Sequence, residues 1–409
     1  MDIVITPSQL KGCVTPPPSK SQAHRLLIAA CLAGGEGRVS NVAQSQDIIA
    51  TQACMAAILG ASPGEALPLL DCGESGSTLR FLIPIALALR GGGVFTGRGR
   101  LMERPQEPYF ELFREKGIFY EQKDGRLTVR GALRQGTYTL PGNVSSQFFT
   151  GLLYALPLLG GESRVESSTP IESRGYLDMT VEALGRFGVE VSFDGAATFA
   201  VPGGQRYTPC DCAVEPDWSQ AGFWYAARGM GNPVETLGMN PRSTQGDRVL
   251  ESWSRLLEKE GEVLLDVSGS PDLVPPIAAW CALRPGQTAR LVNAGRLRIK
   301  ESDRLATVTS ELRKLGAHVE EGRDHLTIRG VESLHGGVVS SHNDHRIAMM
   351  LAVAASRATG PVTVTGAESV HKSYPDFWEH YAALGGRIKE ASPAGGGGTA
   401  QPLRRGRSL

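Results

Sequence analysis

Five short polar segments stand out for what their residues could hold. PSKSQAHR (18–25), GESGSTLR (73–80), NVSSQFF (143–149), EPDWSQ (215–220) and SHNDHR (341–346) combine Ser, Gly, Lys, Asn and Asp, and each leads into an apolar stretch with helical spacing. A helix start presents unpaired backbone N–H groups with partial positive charge, which bind phosphate or carboxylate. Three further loops add fixed charge. GRGRLMERPQEP carries Arg98, Arg100 and Arg104, LRIKESDRL carries Arg298, Lys300, Glu301, Asp303 and Arg304, and VHKSYPDF carries Lys372. Hydroxyls, helix starts and guanidinium forks brought together would take a pair of phosphorylated anions. The ordinary alternative is that the Ser residues cap helices, worth ~1 kcal/mol each, and that single arginines are solvated. Capping does not account for Lys20 and Ser21 followed one turn later by Arg25.

Other chemistries find little support. GESGST lacks the GxxxxGK[ST] of a nucleotide phosphate loop, and no GxGxxG with a following acidic residue appears between a strand and a helix. Neither ATP nor NAD is expected, and no cofactor. Cys210 and Cys212 flank Asp211 without a second Cys/His pair, so no metal is expected either. Lys+Arg and Asp+Glu are 42 each among 409 residues, which removes the general basic field that would recruit nucleic acid or an anionic membrane. Seven cysteines, an odd and scattered set, fit a reduced cytoplasmic setting. The first residues, MDIVITPSQLKG, have no cationic region before an apolar run, and no stretch approaches the roughly 20 apolar residues of a membrane span.

The elements that must position these loops recur. An apolar helical segment, fronted by a small-polar loop and followed by Gly and a Val/Thr-rich strand, begins near Ala23, Ser77, Gln147, Ser219, Pro276 and Arg346. Several copies continue into a second helix that closes on Gly and an alternating strand pair, as in FREKGIFYEQKDGRLTVRG, where KDG suits a tight hairpin; FDG at 193–195 reads the same way. Each copy is a β-α-β-α-β-β unit of an α/β protein, six in all and three per domain. The boundary falls at PCDCAVEP (209–216). The expected domains are 19–216 and 217–391, with 392–409 a Gly-rich, basic, flexible tail.

The ordered motifs PPSKSQAHR, GESGSTLRF, GRLMERP, NVSSQF, SRGYLDMT, RIKESDRL, NDHRIAM and HKSYPDF resemble those of the 5-enolpyruvylshikimate-3-phosphate synthase family over about residues 10 to 385. The resemblance implies a two-domain inside-out α/β barrel with a double-stranded hinge, the strand in 1–18 completing the second domain and the first domain holding shikimate 3-phosphate. It implies enolpyruvyl transfer from phosphoenolpyruvate to the 5-hydroxyl of that substrate in a cleft between the domains, by a cytoplasmic monomer. Lys20, Ser21 and Arg25 then touch both substrates or lie near them. Ser145, Ser146 and Ser173 hold the shikimate 3-phosphate group, with Gln147 and Tyr176 close to the ring, and Gln147 also reaching the donor. Gly76, Arg100, Arg304, Arg346 and Lys372 surround phosphoenolpyruvate. Asp272 accepts the 5-hydroxyl proton, and Glu301, beside Lys300, protonates C3, so Glu301 is expected protonated on arrival and Asp272 ionised.

This chain departs from the family pattern at Glu74, where many members carry Asn and where the carboxyl either adds to the anion site or points away and caps a helix, and at Arg296, where some carry Asn. The nearest rival is the sister transferase acting on UDP-N-acetylglucosamine, whose reactive loop usually holds a cysteine that GRGRLMERPQEPYF lacks. A non-catalytic anion-binding or RNA-processing repeat protein is the rival from another class.

Overall fold

The computed structural model describes residues 1–61 and 66–391. The segment 392–409, read from the sequence as a tail, lies outside the described residues.

The repeat is visible strand by strand. Leu69–Asp71, the helix Gly76–Arg90, Gly92–Thr96, the helix Glu107–Lys116 and the hairpin Phe119–Lys123 and Arg126–Arg130 make one full unit. In its sheet the first two strands are parallel, and the last strand of the hairpin inserts antiparallel beside the second. The same order, first-second-fourth-third, holds in the sheets beginning at Thr137–Leu140 and Gly261–Asp266. A fourth sheet of this kind takes its inserted strand from the chain start: Asp2–Thr6 lies between Val362–Thr365 and Arg387–Glu390. Local chemistry sets the punctuation. Gly91 and Gly117 close their helices at φ 68 and 66, a region that a Cβ disfavours. Asp124 and Gly125 turn the hairpin with φ 51 and 72, as a type I′ turn requires. FDG behaves differently: Asp194 sits in a wider turn and accepts the N–H groups of Ala196, Ala197 and Thr198.

Two of the six units are abbreviated, a correction to six equal repeats. Each has only a two-stranded parallel sheet, and their first strands are exchanged between the halves of the chain. Gly12–Val14 precedes the helix Lys20–Leu32 yet pairs with Val234–Thr236, while Cys212–Ala213 precedes the helix Trp218–Gly229 yet pairs with Val39–Ser40. The two crossing segments run side by side, Ser19 N–H donating to the Glu215 carbonyl at 2.7 Å and Asp217 N–H to that of Pro17 at 2.8 Å.

Helices fill the interior and strands lie outside them. The helix Gly76–Arg90 is buried along most of its length, and Trp218–Gly229, Val274–Ala282 and His345–Ala355 pack against one another. Apolar side chains form two separate cores, one running from Ala23 to Val214, the other joining Ile3 to Val14 with Trp218 to Leu384. On that partition we propose the domain division 19–216 and 217–391, with 1–18 belonging to the second. Among the described residues no helix is long and apolar enough to cross a membrane, and all seven cysteines are unpaired.

Candidate active site

A cleft at the meeting of the two cores leaves about 690 Å³ of empty space, its open mouth included. Helix starts from both halves converge on it. From the first half come Lys20, Ser21 and Arg25 on Lys20–Leu32, Gly76 and Ser77 on Gly76–Arg90, and Ser146 and Gln147 on Ser146–Ala155, with Ser145 as that helix's cap. Ser173 and Tyr176 join them at the start of Arg174–Arg186, with Ser173 in the left-handed region at φ 54. From the second half come Asp272, Lys300, Glu301, Arg304 and Arg346. Seven lining cations (Lys20, Arg25, Arg104, Arg296, Lys300, Arg304, Arg346) face three lining acids (Asp47, Asp272, Glu301), an excess of four positive charges in a chain of zero net charge.

The first-half wall is prearranged by one ion pair and a set of contacts to neutral groups. Lys20 donates to Asp47 at 2.7 Å. Arg25 bonds the Ser21 carbonyl and the Thr180 hydroxyl, lies over the Phe81 ring, and is lowered by burial to about 10. Arg80 donates to Gln147 Oε1 at 2.8 Å and to the Pro105 carbonyl at 2.8 Å, and Gln147 donates onward to Ser77 at 3.0 Å. One buried guanidinium thus orients an amide and a loop together.

The second-half wall is ionic. Arg304, 1% exposed, donates to Asp272, Glu301 and Asp344, each at 2.8 Å. Arg346 donates to Asp272 Oδ2 at 2.8 Å and to Ser219 at 3.0 Å. Burial alone would raise both lining carboxyls. Arg346, Lys300 and Arg304 outweigh it at Asp272, and Arg304, Arg104 and Lys20 do so at Glu301, so both lie far below the usual carboxylate range. The expectation of a protonated Glu301 is thereby corrected for the unliganded cleft. Burial lowers Lys300 to about 8 and holds His345 neutral.

Two expected ligands fall outside the lining. Arg100 is about half exposed, its side chain 3.8 Å from Glu103; Arg104, one turn on and buried, lines the cleft instead. The turn Leu101–Glu103 sends Arg100 and Arg104 in different directions. Lys372 is buried but held by the Glu74 carboxylate at 2.7 Å and the Asn343 carbonyl at 2.6 Å. Glu74 therefore neither caps its helix, which Ser75 does, nor enters the cleft; it ties the two halves together. At Gly76 an added Cβ would lie 2.6 Å from the Arg104 guanidinium and would displace it.

Sequence reasoning missed Asp47, Phe81 and His345 as lining residues, and named Arg104 as a fixed charge without assigning it to a substrate. His345 was legible inside the NDHR motif, and both its ring nitrogens are buried without partners. Arg296 lines the cleft and donates to the Ser173 hydroxyl at 2.8 Å.

A family model described as EPSP synthase (3-phosphoshikimate 1-carboxyvinyltransferase) matches residues 4–381. The 3-phosphoshikimate 1-carboxyvinyltransferase of Clostridium kluyveri is 44% identical over 421 residues, spanning 95% of this chain and 99% of its own. That of Clostridioides difficile is 42% identical, spanning 94% and 98%. A solved structure of EPSP synthase from Acinetobacter baumannii superposes with a TM-score of 0.75 at 25% identity, over 95% of this chain and 100% of that one. The repeat order, the anion-binding cleft and these matches lead to one assignment: the chain belongs to the EPSP synthase family, the transferases that move the enolpyruvyl group of phosphoenolpyruvate to shikimate 3-phosphate.

Proposed function

We propose that the cleft binds both substrates at once, with the residues named above in distinct roles. The observation that carries this reading is the excess of four positive charges in the lining, set among helix starts of both halves. Shikimate 3-phosphate would lie along Ser145, Ser146 and Ser173, with Arg25, Gln147 and Tyr176 around its ring. Phosphoenolpyruvate would lie between Lys20, the backbone of Gly76, Arg104, Arg304 and Arg346. Arg104 takes the place assigned from the sequence to Arg100, and Lys372 acts from outside the lining, through Glu74 and Asn343.

The ion pairs suggest how binding prepares the chemistry. The carboxylate of phosphoenolpyruvate competes with Asp272 and Glu301 for Arg304 and Arg346. As those guanidiniums turn to the substrate, both acids lose counter-charge and become more basic. Glu301, as it becomes more basic, takes up a proton from solvent. Asp272 then takes the proton of the 5-hydroxyl as that oxygen attacks C2, and Glu301 delivers its proton to C3. The tetrahedral adduct then breaks its C2–O bond to phosphate, which leaves with the proton held by Asp272, while Glu301 recovers a C3 proton to leave the enol ether. Lys300, titrating near neutral pH, balances charge beside them. The complete lining within one chain supports a monomer, and the seven unpaired cysteines support a reducing cytoplasm.

Phosphate release with phosphoenolpyruvate and shikimate 3-phosphate together, and none when UDP-N-acetylglucosamine replaces the latter, is the expected result. The reverse pattern would overturn the acceptor.

A further inference from the structure

Tyr176 has one phenolic hydrogen and two carboxyl neighbours. Its oxygen lies 3.1 Å from Asp247 Oδ2 and 3.3 Å from Asp272 Oδ2. A phenol donates once, so two ionised carboxylates would leave one contact between lone pairs. One acid must therefore supply a hydrogen. Asp272 receives guanidinium N–H groups from both Arg304 and Arg346, which keeps it ionised. Asp247, on the turn Gly246–Val249, is 5% exposed, makes no ion pair among the described residues, and has its Oδ1 buried with no partner. An ionised carboxylate with an orphaned buried oxygen is among the most unfavourable arrangements a protein can hold.

We infer that Asp247 carries a proton and donates it in a hydrogen bond to the Tyr176 oxygen, so that Tyr176 in turn donates to Asp272 and fixes the carboxylate that faces the 5-hydroxyl. Asp247 is then a positioning residue acting through Tyr176, and the inference rests on the reading of Asp272 as proton acceptor. The groups facing it agree. Tyr176 comes from the helix Arg174–Arg186, whose Glu182 is occupied with Thr244. Asp217 caps Trp218–Gly229, Asp272 stands before Val274–Ala282, Arg346, the cation that acts on it most strongly, is already committed to Asp272 and Ser219, and Arg248, on its own turn, donates to the Pro241 carbonyl. Burial first, then Asp272 and Asp217, raise Asp247 to about 7 against the opposing Arg346 and Tyr176. Because this value lies above that of an unfolded aspartate, the contribution of the bound proton is complete below about pH 4 and is lost as pH rises through about 7.

The test compares Asp247→Asn with Asp247→Ala. The amide supplies a hydrogen at every pH, so Asn should restore kcat to within about threefold of wild type, while Ala lowers it about tenfold or more. Wild-type kcat and melting temperature should both fall as pH rises through about 7, and Asp247→Asn should lose that limb. If Asn is as damaging as Ala, or keeps the wild-type limb, the inference is wrong. Infrared difference spectra of the wild type between about pH 6 and 8.5 judge Asp247 whatever the variants do. A protonated carboxyl band that vanishes with rising pH and is missing in Asp247→Asn is expected; no such band overturns the proton. Near-normal turnover in Asp272→Asn would instead overturn the acceptor reading and leave the infrared result standing.

Discussion

On the first-half wall, the helices Lys20–Leu32, Gly76–Arg90 and Ser146–Ala155 begin under Ser19, Ser75 and Ser145. On the second-half wall, Trp218–Gly229, Arg304–Lys314 and His345–Ala355 begin under Asp217, Asp303 and Asp344. A serine satisfies an end N–H without adding charge, so the helix start keeps its partial positive charge for an incoming anion. An aspartate cancels that charge, so attraction on the second wall must come from side chains, chiefly Arg304 and Arg346. These arginines are paired with carboxylates. The first wall therefore adds fixed dipoles to Lys20, Arg25 and Arg104 and holds, among the described residues, a single ion pair, Lys20 with Asp47. The second relies on a network of exchangeable ion pairs, the arrangement suited to groups whose protonation must change.

Three substitutions probe that contrast. Arg304→Gln should have the largest effect, since it strands Asp272, Glu301 and Asp344 around one lost guanidinium. A destabilisation of about 3 kcal/mol or more at neutral pH is expected by urea unfolding. The sign with pH follows from the depressed carboxyls. Their contribution is present above about pH 4 and lost in acid, so variant and wild type should converge as pH falls. A loss below 1 kcal/mol would mean that the second wall is not held by this network. Gly76→Ala comes next: displacing Arg104 should raise KM for phosphoenolpyruvate about tenfold, with KM for shikimate 3-phosphate and the melting temperature nearly unchanged. Equal effects on both substrates would remove the distinction between their subsites. Smallest is Ser145→Ala, a neutral cap, expected to cost about 1 kcal/mol by thermal unfolding and to weaken shikimate 3-phosphate binding with no change in pH dependence. A shifted pH profile would place the first wall among the proton-sensitive elements too.

Much of this was legible along the chain because it is encoded locally. The helix copies near Ala23, Ser77, Gln147, Ser219, Pro276 and Arg346 fall on buried helices at 20–32, 76–90, 146–155, 218–229, 274–282 and 345–355, since apolar period and a small polar start are properties of a dozen neighbouring residues. Loop direction was less legible. Arg100 and Arg104 are equally plausible in GRGRLMERP, and a single 3-10 turn separates the exposed one from the lining one. Glu74 could cap or intrude by sequence, whereas its partners Lys372 and Asn343 lie 298 and 269 residues away.

Residue order by itself determined the sixfold α/β repeat, the absence of a net field, the family and most of the residues at the helix starts, because these depend on composition and short spacing. Tertiary structure alone decided which strands change places at the crossing, which arginine faces inward, and which carboxyls share a guanidinium. Those outcomes arise where segments hundreds of residues apart meet out of water, and there the balance of burial against a neighbouring charge sets each proton's place.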